Sequence, residues 1–268
     1  MADLRPPEVA LRRASWTVDG TPVLQEVTFT APAGLTTGLI GPNGSGKTSL
    51  ISLLARWTRP TSGRVLLDGV DAGSVPLREF ARRVAALEQH TATELDLTVR
   101  QVVAMGRVPH SRRLGFDLDG GDDPVVARAL ARVGAAGLAD RHWHTLSGGE
   151  RQKVQVARVL AQEPRVLLLD ELANHLDPAA GLRLLDLVRG LGLTTIGSFH
   201  DLNLAAMFCD RLVVLHRGRV VAEGTPRQVL TPALLGEVYG VEAVVDDHPA
   251  TGGPLVVMCG AAREKEEG

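Results

Sequence analysis

The octet Gly41-Pro42-Asn43-Gly44-Ser45-Gly46-Lys47-Thr48 combines glycines, a lysine and a hydroxyl at spacings suited to holding a nucleoside triphosphate. Glycines let the backbone turn tightly, so that consecutive N–H groups and the positive end of a following helix converge on phosphate oxygens. Lys47 supplies a mobile positive charge for the β- and γ-phosphates. The Thr48 hydroxyl is a hard oxygen ligand for Mg2+. The chain has 29 glycines but few lysines, and chance produces this pattern in roughly 0.3% of such sequences.

Three further groups could do chemistry beside such a loop. Asp170-Glu171 closes the apolar run Val166–Leu169, where open α/β sheets bind their ligands. The first acid could hold the Mg2+ shell and the second could orient or deprotonate a water. Leu146-Ser147-Gly148-Gly149-Glu150 precedes a helical pattern, with Ser147 as a good N-cap and free N–H groups that could meet an anion. Its distance in sequence from Lys47 leaves open which phosphate it would reach. His200 follows a strand pattern. His142-Trp143-His144 offers two imidazoles, too few for a metal when no further ligand lies nearby in sequence.

The elements that must position these groups alternate along the chain. Residues 9–31 read as paired strands broken at Asp19-Gly20-Thr21-Pro22. Leu35 to Ile40 is strand-like ahead of the glycine loop, and Ser49 to Arg56 is helical with Leu50, Leu53 and Leu54 on one face. Strand signals follow at 65–67, 84–87, 166–169, 194–199 and 212–215, and helix signals at 98–105, 124–133, 148–162, 178–191 and 202–209. Short continuous apolar runs between helices imply a parallel sheet covered on both faces. The expected fold is α/β: a phosphate-loop NTPase core with a parallel sheet and an N-terminal antiparallel β subdomain. Residues 98–146 are read as an inserted α-helical subdomain, 1–268 as a single nucleotide-binding domain, and 263–268 as a disordered charged tail.

Composition narrows the function classes. The net charge of −2, a pI near 6.5 and 3% aromatics argue against nucleic acid as the partner. Cys209 and Cys259 match no metal spacing and fit a reducing cytoplasm. The N-terminus lacks the apolar core of a signal peptide, and no run approaches the roughly 18 apolar residues of a membrane helix.

Five separated elements in one order give the chain a family resemblance over nearly its whole length. It resembles the ATP-binding subunits of ATP-binding cassette (ABC) transporters. Gly41–Thr48 matches the first nucleotide motif, and Gln89 stands at the glutamine loop. Leu146–Glu150 with Arg151-Gln152-Lys153 matches the signature, and Asp170-Glu171 with Leu176-Asp177 matches the second nucleotide motif and aspartate loop. His200 matches the switch histidine.

That resemblance implies ATP and Mg2+ as cofactors. It assigns Lys47 and the loop amides to the phosphates, and Thr48, Gln89 and Asp170 to Mg2+. Glu171 becomes the general base, His200 a contact to the γ-phosphate, and Trp16 the aromatic that stacks on adenine. It further implies a homodimer in which Ser147, Gly148 and Gly149 of one copy cover the nucleotide of the other, with Asp177 at the seam. Leu172-Ala173 departs from the family's usual Pro and Ser or Thr, leaving Glu171, Asn174, His175, Leu176 and Asp177 in place.

Three stretches, 98–110, 200–206 and 224–241, are similar to subunits that energise uptake of iron–siderophore, haem or cobalamin chelates. The implied partners are integral membrane permease subunits and, indirectly, a substrate-binding protein. The implied location is the cytoplasmic face of the cell membrane, peripherally attached. Two other readings are a soluble cassette ATPase acting on ribosomes or DNA, and a nucleotide-gated regulatory module. The first usually pairs two cassettes or carries a long coiled coil, neither of which this sequence shows. The second rests only on Leu172-Ala173.

Overall fold

The computed structural model describes residues 5–87, 96–111, 124–170 and 177–262. Strands β1 (Val9–Val18) and β2 (Thr21–Ala31) form a long antiparallel hairpin. Its two-residue turn, Asp19-Gly20, has φ of 47° and 79°, a conformation that Asp and Gly tolerate. After β3 (Thr36–Ile40), strands β4 (Ser62–Leu67) and β5 (Val70–Asp71) join that hairpin in a sheet of order β2-β1-β4-β5.

A second sheet frames the nucleotide loop. It contains β3 with β6 (Val84–Leu87), β7 (Val166–Leu169), β8 (Thr194–Ser198), β9 (Arg211–His216) and β10 (Arg219–Gly224). The order is β10-β9-β3-β8-β7-β6; β9, β3, β8, β7 and β6 are parallel, and β10 returns antiparallel. Both faces are buried, which explains the unbroken apolar run in β7. Val166 and Leu168 enter one core cluster, and Leu167 and Leu169 the other.

The first cluster joins the N-terminal sheet to α1 (Lys47–Leu54) and α2 (Leu77–Arg83). The second holds α5 (Gly148–Ala161), α6 (Pro178–Arg189) and α7 (Leu202–Phe208). Between these lie α3 (Val99–Ala104) and α4 (Pro124–Arg132), both packed on α5. Thr98 and Gln101 open α3 with a reciprocal capping box. The helix pattern at 98–105 then tightens into a 3-10 turn, Met105–His110, containing Pro109, which has no N–H to donate. In α4, Val126, Ala129 and Leu130 are buried at helical spacing. Their cluster runs without a break to Leu167 and Leu212 of the sheet. The chain ends with short helices α8 (Pro226–Val229) and α9 (Pro232–Tyr239) and a separate hairpin, β11 (Val241–Asp247) and β12 (Pro254–Ala261). The tail at 263–268 and most of the loop at 110–123 lie outside the described residues.

Gly106 of the 3-10 turn packs against α5: a Cβ there would lie 2.1 Å from the Arg158 carbonyl oxygen. Gly106→Ala should therefore force the two apart and lower stability by about 1–3 kcal/mol in urea unfolding. An unchanged midpoint would show that this contact is easily relaxed.

Candidate functional site

The glycine loop joins the C-terminal end of β3 to the first residue of α1. Gly41 has φ of 149°, and a Cβ on it would lie 2.0 Å from the Leu215 carbonyl oxygen, so no other residue fits against β9. Gly46 caps α1 at φ 104°, where a Cβ would approach Leu24 Cδ2 to 2.7 Å. Pro42 is half-buried, while Asn43, Gly44 and Thr48 are exposed. The Ser45 carbonyl accepts from Gly218 N–H at 3.1 Å, tying the loop to the β9–β10 turn. Ser45 Oγ is buried without a hydrogen-bond partner among the described residues. Lys47 is buried too, and its Nζ donates to the carbonyls of Gly41 at 2.7 Å and Pro42 at 3.0 Å. The ammonium thus already lies across the loop that would receive phosphate.

Opposite it, Asp170 follows β7. Thr48 Oγ1 donates to Asp170 Oδ1 at 3.3 Å, and Ser198 Oγ donates to the same oxygen at 2.7 Å. The geometry follows from strand order: β8 lies between β3 and β7, so its last residue reaches across to Asp170. Thr48 and Asp170 present two hard oxygens from separate elements, which fits Mg2+. Ser198 was not singled out by the sequence; its only signal is a hydroxyl ending a strand two residues before His200. The Asp170 N–H donates to Leu87 O at 3.1 Å, which ties this corner to β6. Gln89 and Glu171 lie outside the described residues.

Two bonds fix the chain around His200. Phe199 N–H donates to Leu39 O at 3.0 Å, and Asp201 caps α7 by accepting from Asn203 and Leu204 N–H at 2.8 and 3.0 Å. The imidazole is exposed between them. Trp16 is half-buried on β1, in register with Leu24, the residue that bounds Gly46. A second unanticipated neighbour is Tyr239, whose phenol approaches the Gly41 backbone. Burial pushes its pKa upward, and the Gly41 contact opposes that rise.

Ser147, Gly148 and Gly149 are exposed at the start of α5. Ser147 and Glu150 form a reciprocal box: Glu150 Oε2 accepts from Ser147 N–H at 2.8 Å and Oγ–H at 2.9 Å. Arg141 Nη1 adds a bond to Glu150 Oε1 at 3.0 Å. The Ser147 backbone bond, followed by its hydroxyl, holds the Glu150 carboxyl below the usual carboxylate range. A lowered folded pKa places the stabilising bond above the unfolded value and loses it as pH falls through the folded value. Asp177 caps α6 by accepting from Ala180 N–H at 2.9 Å. It shares with Ser147, Gly149, Lys153 and Arg183 a cleft of about 470 Å³. Among the described residues lining that cleft, none belongs to the loop 41–48.

The ABC transporter family model matches residues 24–174. The cobalamin import ATP-binding protein BtuD of Halobacterium salinarum is 42% identical over 88% of this chain, which spans only 60% of that relative's length. The ferric enterobactin transport ATP-binding protein FepC of Escherichia coli is 38% identical over 97% of this chain and 95% of its own. The hemin import ATP-binding protein HmuV of Bordetella avium is 40% identical over 88% and 93%. Among solved structures, a metal-chelate type ABC transporter in an inward-facing conformation shares the fold, with a TM-score of 0.81 at 22% identity over 95% of this chain and 98% of that one.

Ser198 donates to Asp170 Oδ1, so it acts by holding that carboxylate in position. Ser198→Ala should raise the Mg2+ concentration needed for half-maximal nucleotide hydrolysis about tenfold. An unaltered Mg2+ dependence would mean Asp170 is held well enough without it.

Proposed function

The chain belongs to the ABC transporter family, and on that premise we propose that it is the ATP-binding and ATP-hydrolysing subunit of an importer. It powers uptake of a metal chelate, an iron–siderophore, haem or cobalamin, through a separate membrane permease. The observation that carries the reading is the convergence of Lys47, Thr48, Asp170 and Ser198 at the C-terminal ends of β3, β7 and β8. The cargo class draws support from the cobalamin, ferric enterobactin and hemin transport named in the three relatives.

Binding begins with an exchange of partners. Lys47 leaves the Gly41 and Pro42 carbonyls for the β- and γ-phosphates, and the amides of Gly44 to Thr48 with the α1 terminus take up the remaining negative charge. Thr48, Gln89 and Asp170 hold Mg2+, which when bound neutralises charge on the phosphate oxygens. Ser198 keeps Asp170 Oδ1 turned toward Thr48. Glu171 accepts the proton of the attacking water, and His200 contacts the γ-phosphate. Trp16 stacks on adenine.

The site closes between two copies. Ser147, Gly148 and Gly149 of one cover the γ-phosphate held by the other, an isologous contact that yields two equivalent sites. The exposed start of α5 supports this arrangement. Asp177 lies at the seam. The outer surface of the helical segment 98–146 meets the permease, which receives cargo from a substrate-binding protein. The chain attaches peripherally at the cytoplasmic face of the membrane, where it meets the permease; no described helix is long and apolar enough to cross a membrane.

Glu171→Gln should keep ATP binding, lower phosphate release by about 10²–10⁴-fold, and accumulate an ATP-dependent dimer in gel filtration. Phosphate release at the wild-type rate would remove Glu171 from its role. The importer reading is tested by purifying the tagged chain from gently solubilised native membranes. A polytopic permease should accompany it; ribosomes or DNA-bound proteins in its place would overturn the reading.

A further inference from the structure

Trp143 is buried, and the residues on either side of it, His142 and His144, emerge together on the solvent side of its 3-10 turn. Two imidazoles alone looked insufficient for a metal. The fold brings a third ligand from 46 residues away: Asp96 Oδ1 lies 2.7 Å from His142 Nδ1 and 3.3 Å from His144 Nδ1. One ligand atom from each residue falls within 4.8 Å of the others.

The backbone holds this meeting in place. Trp143 N–H donates to Leu97 O at 2.8 Å, and Val99 N–H to Arg141 O at 2.9 Å, while Thr98 bridges to His142. Leu97 and Trp143 are both buried, so Asp96 and the two histidines are presented outward from an anchored pair of segments. Arg151 Nη2 donates to His144 O at 2.9 Å and its guanidinium lies 5.8 Å from the Trp143 ring, fixing the second histidine's backbone. All three ligand side chains remain open to solvent, with exposures of 70%, 48% and 66% for Asp96, His142 and His144, so an ion has a path in.

Ligand chemistry then selects the ion. Ligand atoms around a tetrahedral Zn2+ stand about 3.3 Å apart, given bonds near 2.0–2.1 Å. The observed 2.7 and 3.3 Å separations reach that spacing with small rotations of exposed side chains. Two imidazoles and a carboxylate suit Zn2+ and its transition-metal neighbours, whereas Mg2+ takes oxygen ligands. We propose that Asp96, His142 and His144 form a binding site for a divalent transition metal of the Zn2+ class, with a fourth position left to water. The site stands three residues ahead of Ser147 and uses none of the nucleotide-binding residues. A bound ion clasps the segment entering α3 to the turn that leads into α5.

The test uses the full-length, untagged protein stripped with chelator, titrated with Zn2+ by calorimetry and with Co2+ by absorption. One ion per chain should bind, insensitive to excess Mg2+. Asp96→Asn and the double substitution His142→Gln with His144→Gln should each weaken binding by at least about tenfold and diminish the Co2+ d–d bands. The absence of saturable binding, or equal affinity in the double variant, would overturn the proposal. So would loss of binding on Cys259→Ser, which would assign the ion elsewhere.

Discussion

The Asp170 Oδ1 atom accepts hydrogen bonds from hydroxyls on two other elements, Thr48 on α1 and Ser198 at the end of β8. That shared oxygen constrains the geometry of the whole nucleotide edge. A triphosphate concentrates negative charge in a small volume, and a carboxylate beside it is tolerable only where a cation joins the two. The three groups therefore have to stand in register before any ligand arrives. The sheet order β3-β8-β7 places them so: β3 delivers the loop, β7 delivers Asp170, and β8 sits between them with Ser198. Tight glycine contacts with Leu215 and Leu24 then fix the loop against β9 and β2. Core packing on both sheet faces supports that register, since a slip of one residue would move Asp170 away from Thr48.

A second constraint separates the chemistry into two surfaces. The loop 41–48 opens at the end of β3, while Ser147 and Asp177 line a cleft with Lys153 and Arg183. Both Ser147 and Asp177 are N-caps whose side chains are engaged with their own helices. In the proposed dimer these preorganised turns face the anion that the other copy brings. The proposed two-fold pairing of copies would satisfy both surfaces at once. In this arrangement ATP is itself part of the interface, so its hydrolysis changes the energy of dimer closure, which is the work a permease can use.

Much of this was legible from residue order. The loop glycines, the apolar runs of the parallel strands and the helix cap at Ser147 are local signals, set within a few residues, and their elements formed close to where the pattern put them. What escaped depended on strand order or on distant partners. Ser198 matters only because β8 lies beside β7, and Tyr239 only because α9 folds back toward Gly41. The pair His142 and His144 was set aside for want of a ligand nearby in sequence, and Asp96 reaches it through backbone bonds across 46 residues. The terminal hairpin β11–β12 was also missed. Its residues are mostly half-buried or exposed, unlike the fully buried apolar run that marks β7.

In the proposed dimer each ATP site is built from the phosphate loop of one copy and the signature turn of the other. Mixing two variants that are inactive alone tests it directly: Lys47→Ala, which keeps its signature, and Ser147→Arg, which keeps its loop. Heterodimers of the two hold one intact site, so an equimolar mixture should recover about a quarter of wild-type ATP hydrolysis. No recovery, with heterodimers shown to form, would contradict a site shared between subunits.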